Sequence, residues 1–460
     1  MADTNTKSKS LTDAGFIHSL SDTNSVFLNA GDEISQMYLS EFRKHLNDND
    51  EQILQDLAFY IDINKASSKG ATRVDTGGNM NMRQLWEDAG YSVLMDKNGN
   101  CARLNPSDNR YLEDGTAILN SDGTLVTAYA KCDLMKVRPK TYGRIQTIIV
   151  GSTSIARCWF SLVPLPGGYE IPQMVIGKEK LSLVDGVARS IPGAVPSGDN
   201  TIYSFWDKAQ LRSKNHGLAG LDFRNYLLFY MMSKYGYRDS QNCVGSDGTK
   251  IWGVGLDGTE TTTQADGWNK FLKQREIKTG QTLSLGESDG NVAATDADNN
   301  TCHCVNVDGF ENPWGQFWEM IQGLCSVGND VYFWRGNTIP HSTPTADTFT
   351  NIDHVKLTRP ASDGLQTPSM NIITATNGQG VYMIPNASAT GINYGDNFWY
   401  NNDGQLWLFG GGSVDGSNCG LAGAGSGNAW SASNASFSAR LAYYGTINMV
   451  TPKRLAELAA

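Results

Sequence analysis

The chain has little charge and no run of basic residues. Only 18% of its 460 residues are Asp, Glu, Lys or Arg, and 47 acidic residues against 37 basic ones give a formal net charge of −10. Proteins that bind nucleic acid usually carry a basic patch or stripe. The composition therefore argues against nucleic acid as a partner.

Long apolar runs are missing too. No stretch of 18 apolar residues occurs, and the N-terminus, MADTNTKSKSLTDAG, lacks the basic-then-apolar layout of a signal peptide. We therefore expect synthesis in a cytosol and no insertion into a membrane.

The spacings of common metal and cofactor sites are also absent. The eight cysteines form no CxxC pair, and Cys302 and Cys304, which flank His303, have no second ligand pair of the kind that a zinc site needs. Reduced, mostly buried thiols are the expectation. No Gly-rich phosphate loop followed by Lys and Ser or Thr occurs. We expect neither a metal nor a cofactor.

Motifs for nucleophilic catalysis do not occur. The chain has no GxSxG, and its six scattered histidines single out no Cys–His pair. Asp and Glu are plentiful, so a carboxylate pair for glycan cleavage stays open as an alternative, although abundance alone marks no site. The expectation is a protein that is not an enzyme.

A stretch of small residues near the C-terminus is the most distinctive feature that is present. Of the 29 residues from 410 to 438, eight are Gly, seven Ser, five Ala and three Asn, and Asp415 is the single charge. Such a segment buries too little apolar surface to fold alone. We interpret residues 410–440 as a display loop held on a rigid core; a flexible Gly/Ser linker is the alternative.

The rest of the chain has patterns of both helix and strand. Apolar residues at helical spacing predict helices over residues 32–46, 53–61, 82–89 and 221–235. β-rich runs predict strands around residues 145–151, 156–165 and 169–177, and turn-forming composition predicts a surface excursion over 255–305. The two N-terminal helices would form an assembly segment or, alternatively, a cap on the following domain.

Several segments follow one another as in a known family. They are CDLMKVRPKTYGRI (132–145), PQMVIGKEK (172–180), SIPGAVP (190–196), MMSKYGYRDSQN (231–242), GFENPWGQFWEMIQGL (309–324) and DNFWYNNDGQLWLFGGGSVDGSNCGLAGAG (396–425). In this order they resemble the C-type-lectin-like fold of phage receptor-binding proteins of the major tropism determinant class, which are variable proteins of diversity-generating retroelements. The formylglycine-generating-enzyme-like fold is a more remote resemblance.

The resemblance implies an α+β fold, with a helical N-terminal segment followed by a C-type-lectin-like domain with insertions. We divide the chain into a helical virion-attachment and oligomerisation segment (1–70), a small β-rich connecting region (71–127) and a receptor-binding domain (128–450).

The resemblance also places the ligand-binding residues in the display loop. By position they are Ser413, Asp415, Ser417, Asn418, Asn428, Trp430, Ser431, Ser433 and Asn434. The residues that support the loop would be Gly411, Gly412, Gly416, Gly420 and Arg440. We expect Ser413, Asn418, Trp430 and Asn434 to point outward, and Arg440 to tie loop carbonyls or a carboxylate to the core through its five donors.

The sequence departs from the family pattern in two places. Gly411 and Gly412 are followed by Ser413 and Val414, where family members usually carry an aromatic residue two positions on, and Ser438-Ala439 replaces the closing Gly-Gly. The reactive cysteine pair of formylglycine-generating enzymes is missing, since only Cys419 lies near the C-terminal end.

The function implied is that of a structural virion protein of a tailed phage, a head or tail fibre that binds a host-surface glycan or protein. It would assemble as a homotrimer and attach to capsid or tail proteins through its N-terminal part, after synthesis in the host cytoplasm. A glycan-cleaving tail protein and a cellular variable adhesin are the alternatives.

Overall fold

A computed structural model describes residues 25–30, 33–38, 50–63, 74–151, 153–237, 240, 271–350, 352, 354–358, 364–366, 369–374, 381–386, 398–401, 403–413, 415 and 419–459. The fold is mixed helix and sheet and mostly β-sheet, which confirms the predicted mixed class. No helix within these ranges is long and apolar enough to cross a membrane.

The first half of the described chain contains four helices and fifteen strands. The helices are α1 (Asp50–Leu57), α2 (Met80–Glu87), α3 (Ile202–Gln210) and α4 (Leu221–Tyr235). The strands are β1 (Ser25–Ala30), β2 (Glu33–Tyr38), β3 (Phe59–Asp62), β4 (Asp75–Gly78), β5 (Tyr91–Met95), β6 (Asn100–Asn105), β7 (Asp108–Leu112), β8 (Asp133–Arg138), β9 (Thr141–Val150), β10 (Thr153–Ser161), β11 (Tyr169–Ile171), β12 (Met174–Gly177), β13 (Ser182–Val184), β14 (Val187–Arg189) and β15 (His216–Leu218).

After α4 the described chain is almost entirely strand and ends in a helix. The elements are β16 (Gly290–Thr295), β17 (Thr301–Val307), β18 (Phe310–Glu311), β19 (Trp318–Val327), β20 (Asp330–Trp334), β21 (His354–Thr358), β22 (Gly364–Gln366), β23 (Ser369–Thr374), β24 (Val381–Asn386), β25 (Phe398–Tyr400), β26 (Leu406–Gly410), β27 (Gly420–Asn428), β28 (Phe437–Ser438), β29 (Leu441–Tyr443), β30 (Asn448–Met449) and α5 (Pro452–Ala459).

Three sheets organise the described residues. One has the strand order β15-β29-β12-β8-β5-β6-β30, with β7 paired to β6, and a second runs β21-β20-β19-β26-β27-β25-β22, with β28 paired to β19. The third is the five-stranded sheet β11-β9-β10-β3-β4. A parallel bridge between Gly220 and Gln322 joins the start of α4 to β19 of the second sheet.

Helix α4 lies in the main core. Its residues from Phe223 to Ser233 are all buried, and aromatic or large apolar side chains occupy most of them. A helix that is apolar on every side is stable only when it is surrounded by protein. It ends at Gly236, whose φ of 69° is the left-handed conformation that favours glycine. The prediction of a helix over residues 221–235 is confirmed.

The predicted N-terminal helices are only partly present. Residues 33–38 form strand β2, antiparallel to β1, so the helix predicted over residues 32–46 is wrong there. The second predicted helix is α1, which ends at Leu57; the rest of that run is β3, which pairs with β10. The run FYID is β-prone, and β10 offers it a partner strand far along the chain.

The apolar residues of α1 and β3 pack inside this chain. Ile53, Leu57 and Ile61 are at most 7% exposed and belong to the same core cluster as Tyr226 and Trp314. The side chains of these three residues are therefore covered within this chain. Strand β3, which precedes residue 70, pairs with β4, and β5, which precedes residue 127, pairs with β8.

The other local predictions agree better with the described residues. Helix α2 covers most of the predicted 82–89, and β9 to β12 cover the predicted strands between 145 and 177. The predicted surface excursion over 255–305 is wrong for much of its described part, residues 271–305, because Phe271 and Leu283 are buried and β16 pairs with β17. Seven cysteines are buried, as expected, and Cys243 lies outside the described residues.

Candidate functional site

The predicted display loop is in large part a core strand. Strand β27 lies between β26 and β25, and its residues from Gly420 to Ser426 are buried. The indole of Trp318 packs on this strand: a Cβ on Gly425 would lie 3.8 Å from that ring. Small residues here make room for large neighbouring side chains, so the composition that predicted an exposed loop has a packing cause.

Trp430 is also inside the protein. Its side chain is 0% exposed, and its indole Nε1 donates a hydrogen bond to the Pro340 carbonyl over 2.9 Å. Ser413 is 0% exposed as well. The prediction that Trp430 and Ser413 point outward to a ligand is therefore wrong for both, because each is enclosed by the core.

The remaining predicted contact residues fall into three groups. Asn428 and Asp415 are half-buried, whereas Ser431, Ser433 and Asn434 are exposed. Ser417 and Asn418, with the predicted support Gly416, lie outside the described residues.

Asp415 supports the turn after β26. Its carboxylate Oδ2 accepts a hydrogen bond from the Gly412 amide over 2.6 Å. Burial raises the pKa of Asp415 to about 6, although the bond from Gly412 lowers it. This carboxyl group is thus engaged within the fold.

The glycines act as predicted where they are described. Gly411 and Gly420 have φ values of 74° and 148°, a region that disfavours other residues. A Cβ on Gly411 would approach Cys419 Sγ to 2.5 Å. Gly412 has no such φ value, and its contribution is the amide that binds Asp415.

Arg440 is the main structural support of this region. It is 0% exposed, and its Nε lies 2.8 Å from Glu319 Oε1. Its Nη1 donates to the Lys178 carbonyl (2.6 Å), and its Nη2 donates to the carbonyls of Glu311 and Asn312 (3.0 Å to the latter). The predicted anchoring of carbonyls and a carboxylate is present, although these carbonyls belong to other segments than the display loop.

Glu319 is shared by three cations. Lys180 Nζ lies 2.7 Å from Oε1, and Arg224 Nη1 lies 3.7 Å from Oε2. Burial alone would raise the pKa of Glu319, but the charges of Arg440 and Lys180 lower it to about 2. The cluster therefore stays ionised in the core and ties β19 to the segments on either side.

Two buried carboxyl groups lie next to this cluster. Glu179 is 0% exposed and Glu311 is 3% exposed, and the Gly280 amide donates to both, over 3.2 Å and 3.1 Å. Burial raises the pKa of each, and the charge of Glu311 raises that of Glu179 further. The raised pKa values favour a protonated carboxyl group in this pair, which is closed to solvent, whereas glycan cleavage needs its carboxylates in a groove.

We expect Glu179→Gln to change how stability depends on pH. A carboxyl group whose pKa is higher in the folded chain than the unfolded value of about 4.3 makes the free energy of unfolding fall as pH rises above that value. Glutamine cannot ionise, and its amide can donate to Glu311. The free energy of unfolding from urea titrations should therefore fall less between pH 5 and pH 8 than in the unmodified chain.

Glu113→Gln is the control for that measurement, because the Glu113 side chain is 52% exposed. It should keep the pH dependence of the unmodified chain. If Glu179→Gln does the same, the pair does not hold a proton in the folded state.

The exposed turn after β27 rests on the buried Trp430. Ser431, Ser433 and Asn434 are exposed, and the Asn434 side-chain oxygen accepts from both the amide and the hydroxyl of Ser436, each over 2.9 Å. The Asn434 carbonyl accepts from the Asp199 amide over 3.0 Å. These bonds fix the turn against the segment that leads into α3.

A second group, partly exposed, lies on α3 and at His341. Tyr203, Trp206 and Asp207 lie three and four positions apart on that helix, so they share one face. The ring of His341 lies 5.4 Å from Trp206 and 6.3 Å from Tyr203, and its Nε2 lies 2.8 Å from Asp207 Oδ1.

Trp430 connects the two groups, because its indole binds the carbonyl of Pro340, the residue before His341. We call the exposed members, together with the half-buried Tyr203, the candidate surface, which comprises Tyr203, Asp207, His341, Ser431, Ser433 and Asn434. The first three were missed in the sequence. The helical spacing of Tyr203, Trp206 and Asp207 was a usable signal, but no helix was predicted over residues 202–210.

The cysteines of the Cys302-His303-Cys304 run do not share a face with the histidine. Cys302 and Cys304 are buried in β17 and His303 is half-buried, because successive residues of a strand face opposite sides. Within the described ranges, no group of three His, Cys, Asp or Glu residues could hold a metal ion.

No protein-family model and no curated protein matches the chain.

Proposed function

We propose that this chain is a structural virion protein of a tailed phage, a head or tail fibre, that binds host-surface glycans through the candidate surface. The observation that carries the proposal is the exposed turn with Ser431, Ser433 and Asn434, which Trp430 links through the Pro340 carbonyl to the paired rings of Tyr203 and His341. Glycans present hydroxyls and apolar ring faces. Short polar side chains and rigid rings bind such groups at low ordering cost.

A rigid base beneath the surface supports this function. The turn is hydrogen-bonded to the start of α3, and Trp430 fills the core below it. Binding residues on a fixed scaffold lose little conformational entropy when a ligand binds. The candidate surface is therefore suited to recognition without rearrangement.

The finer fold is part of the proposal. We assign residues 128–450 to a C-type-lectin-like fold on the order of the motifs, with the closing strand β29 lying between β12 and β15 directly after the buried Arg440. Assembly as a homotrimer and attachment to capsid or tail proteins through the N-terminal part complete the proposal.

The function is tested by the binding of the full chain to a glycan array. We expect Ser433→Arg to weaken binding at least tenfold, a loss of about 1.4 kcal/mol, because a long charged side chain would cover the surface. Ser121→Arg makes the same change at an exposed turn elsewhere and should bind as the unmodified chain does. Both variants should keep the melting temperature, since both serines are exposed.

His341→Ala provides a second variant, which adds no bulk. The fold should tolerate it, because the His341 side chain is 51% exposed. It should weaken the same glycan signals. A chain that binds no glycan on the array, or binds equally well with Ser433→Arg, contradicts the proposal. Release of reducing ends from a glycan would favour the glycan-cleaving alternative.

A further inference from the structure

A cavity of about 410 Å³ opens between the start of α4, the end of β20 and strands β12 and β29. Its walls are mainly apolar and include Met174, Ile176, Phe223 and Phe333. This volume lies within the range of about 300–1,000 Å³ that is typical of small-molecule sites. The cavity shares no residue with the candidate surface.

The described lining contains one anion and one cation, and they neutralise each other. Arg335 Nε and Nη2 donate to the two carboxylate oxygens of Asp222 over 2.8 Å and 2.9 Å. The two side chains are 18% and 27% exposed for Asp222 and Arg335, so the pair is partly accessible from the cavity. A charged ligand would gain no net attraction from a paired charge, so the lining favours a neutral one.

Asp222 nevertheless offers directed polar contacts. A carboxylate has about four acceptor sites, and the bonds from Arg335 use two of them. Hydroxyl groups of a ligand can donate to the others. Hydrogen bonds to an ionised group are roughly twice as strong as neutral ones, so this carboxylate would fix the orientation of a hydroxylated ligand.

An aromatic ring stands at the cavity with its position fixed. Tyr444 is 42% exposed, and its hydroxyl donates to the Leu218 carbonyl over 2.7 Å. This bond holds the hydroxyl end of the ring in place at the cavity lining. Such a ring suits the apolar face of a sugar, whose axial hydrogens pack on aromatic carbon.

We propose that this cavity is a binding site for a neutral saccharide of one or two rings, with Asp222 accepting from its hydroxyls and Tyr444 stacking on it. The neutralised ion pair, the apolar walls and the fixed ring are compatible with the size and polarity of such a ligand. They disfavour charged sugars. The site is independent of the proposed function, because it involves none of the candidate-surface residues.

The test is ligand-observed NMR on the full chain with glucose, galactose, mannose, N-acetylglucosamine, lactose and maltose. We expect saturation transfer to at least one of these sugars, and at least tenfold weaker binding of the corresponding charged sugar, glucosamine or glucuronate. Asp222→Asn should weaken binding of the neutral sugar at least tenfold. Asp114→Asn, the same change at an exposed turn, should not.

Tyr444→Ala keeps the test decisive if Asp222→Asn fails to fold, because the Tyr444 ring is partly exposed. Tyr444→Ala should also weaken binding of the neutral sugar at least tenfold. Ser433→Arg should leave this binding unchanged, which separates the cavity from the candidate surface. Failure of all six sugars to bind, unchanged binding by Asp222→Asn and Tyr444→Ala, or tighter binding of a charged sugar would overturn the proposal.

Discussion

Arg440→Ala should lower the free energy of unfolding by about 3–5 kcal/mol, the usual range when one partner of a buried charge cluster is removed. Alanine would leave the carbonyls of Lys178, Glu311 and Asn312 without the donors that Arg440 provides. Each buried acceptor that loses its partner costs about 1–3 kcal/mol. The loss of the carboxylate contact matters less, because Lys180 still holds Glu319 at 2.7 Å.

Urea unfolding monitored by tryptophan fluorescence measures this change. Arg110→Ala is the matched control, since the Arg110 side chain is 49% exposed and pairs with Asp108 at the surface. It should cost less than about 1 kcal/mol. Arg440→Lys keeps the charge but lacks the five donors with which arginine binds these carbonyls. Its loss of unfolding free energy should therefore lie between those of Arg440→Ala and Arg110→Ala.

If Arg440→Ala is too unstable to purify, Arg440→Lys still decides the matter. An Arg440→Lys variant as stable as the unmodified chain would mean that charge alone accounts for the role of this residue. The hydrogen bonds to the carbonyls would then contribute little.

The sequence predicted best where the local pattern and the environment agree. Helix α4 was found because Phe223, Tyr226 and Tyr230 follow helical spacing, and Gly236 ends it as the C-cap. Strands β9 and β10 were found because their β-branched and aromatic runs pair with each other over a tight turn. In these elements the information lies within a few residues of where it is used.

The predictions of the N-terminal helices were wrong because partner strands outside these segments determine their structure. Ile34, Met37 and Tyr38 fit helical spacing, but strand β2 gains its hydrogen bonds from β1, whose pattern was not considered. The run that begins at Phe59 likewise becomes a strand because β10, about a hundred residues later, provides the partner. A short apolar run does not by itself distinguish helix from strand.

The prediction of an exposed display loop was wrong for a different reason. The composition of a segment does not reveal which side chains pack against that segment. Gly and Ala are typical of exposed loops, but they also permit close approach of a large side chain such as Trp318. Ser431, Ser433 and Asn434 were placed correctly as exposed residues. Tyr203, Asp207 and His341 could not be assigned to the same surface without the hydrogen bond between Trp430 and Pro340.

Trp430→Ala should lower the free energy of unfolding by about 3–5 kcal/mol, as truncation of a buried Trp usually does. The side chain is 0% exposed, so its removal would leave a cavity in the core and the Pro340 carbonyl without its donor. A Trp430 side chain that pointed outward, as the display-loop interpretation has it, would give the reverse, with binding lost and the melting temperature nearly unchanged. The two expectations differ in whether Trp430→Ala changes the stability of the fold or the binding of the ligand.

Thermal and urea unfolding of Trp430→Ala and Trp430→Phe distinguish them. Phenylalanine keeps much of the ring volume but cannot donate to Pro340, so we expect Trp430→Phe to cost less than Trp430→Ala and more than Ser433→Ala, an exposed control. Binding measured well below the melting temperature should then fall only in proportion to the unfolded fraction. If Trp430→Ala instead keeps the melting temperature of the unmodified chain and loses glycan binding, the indole reaches the ligand and the turn around it must open in solution.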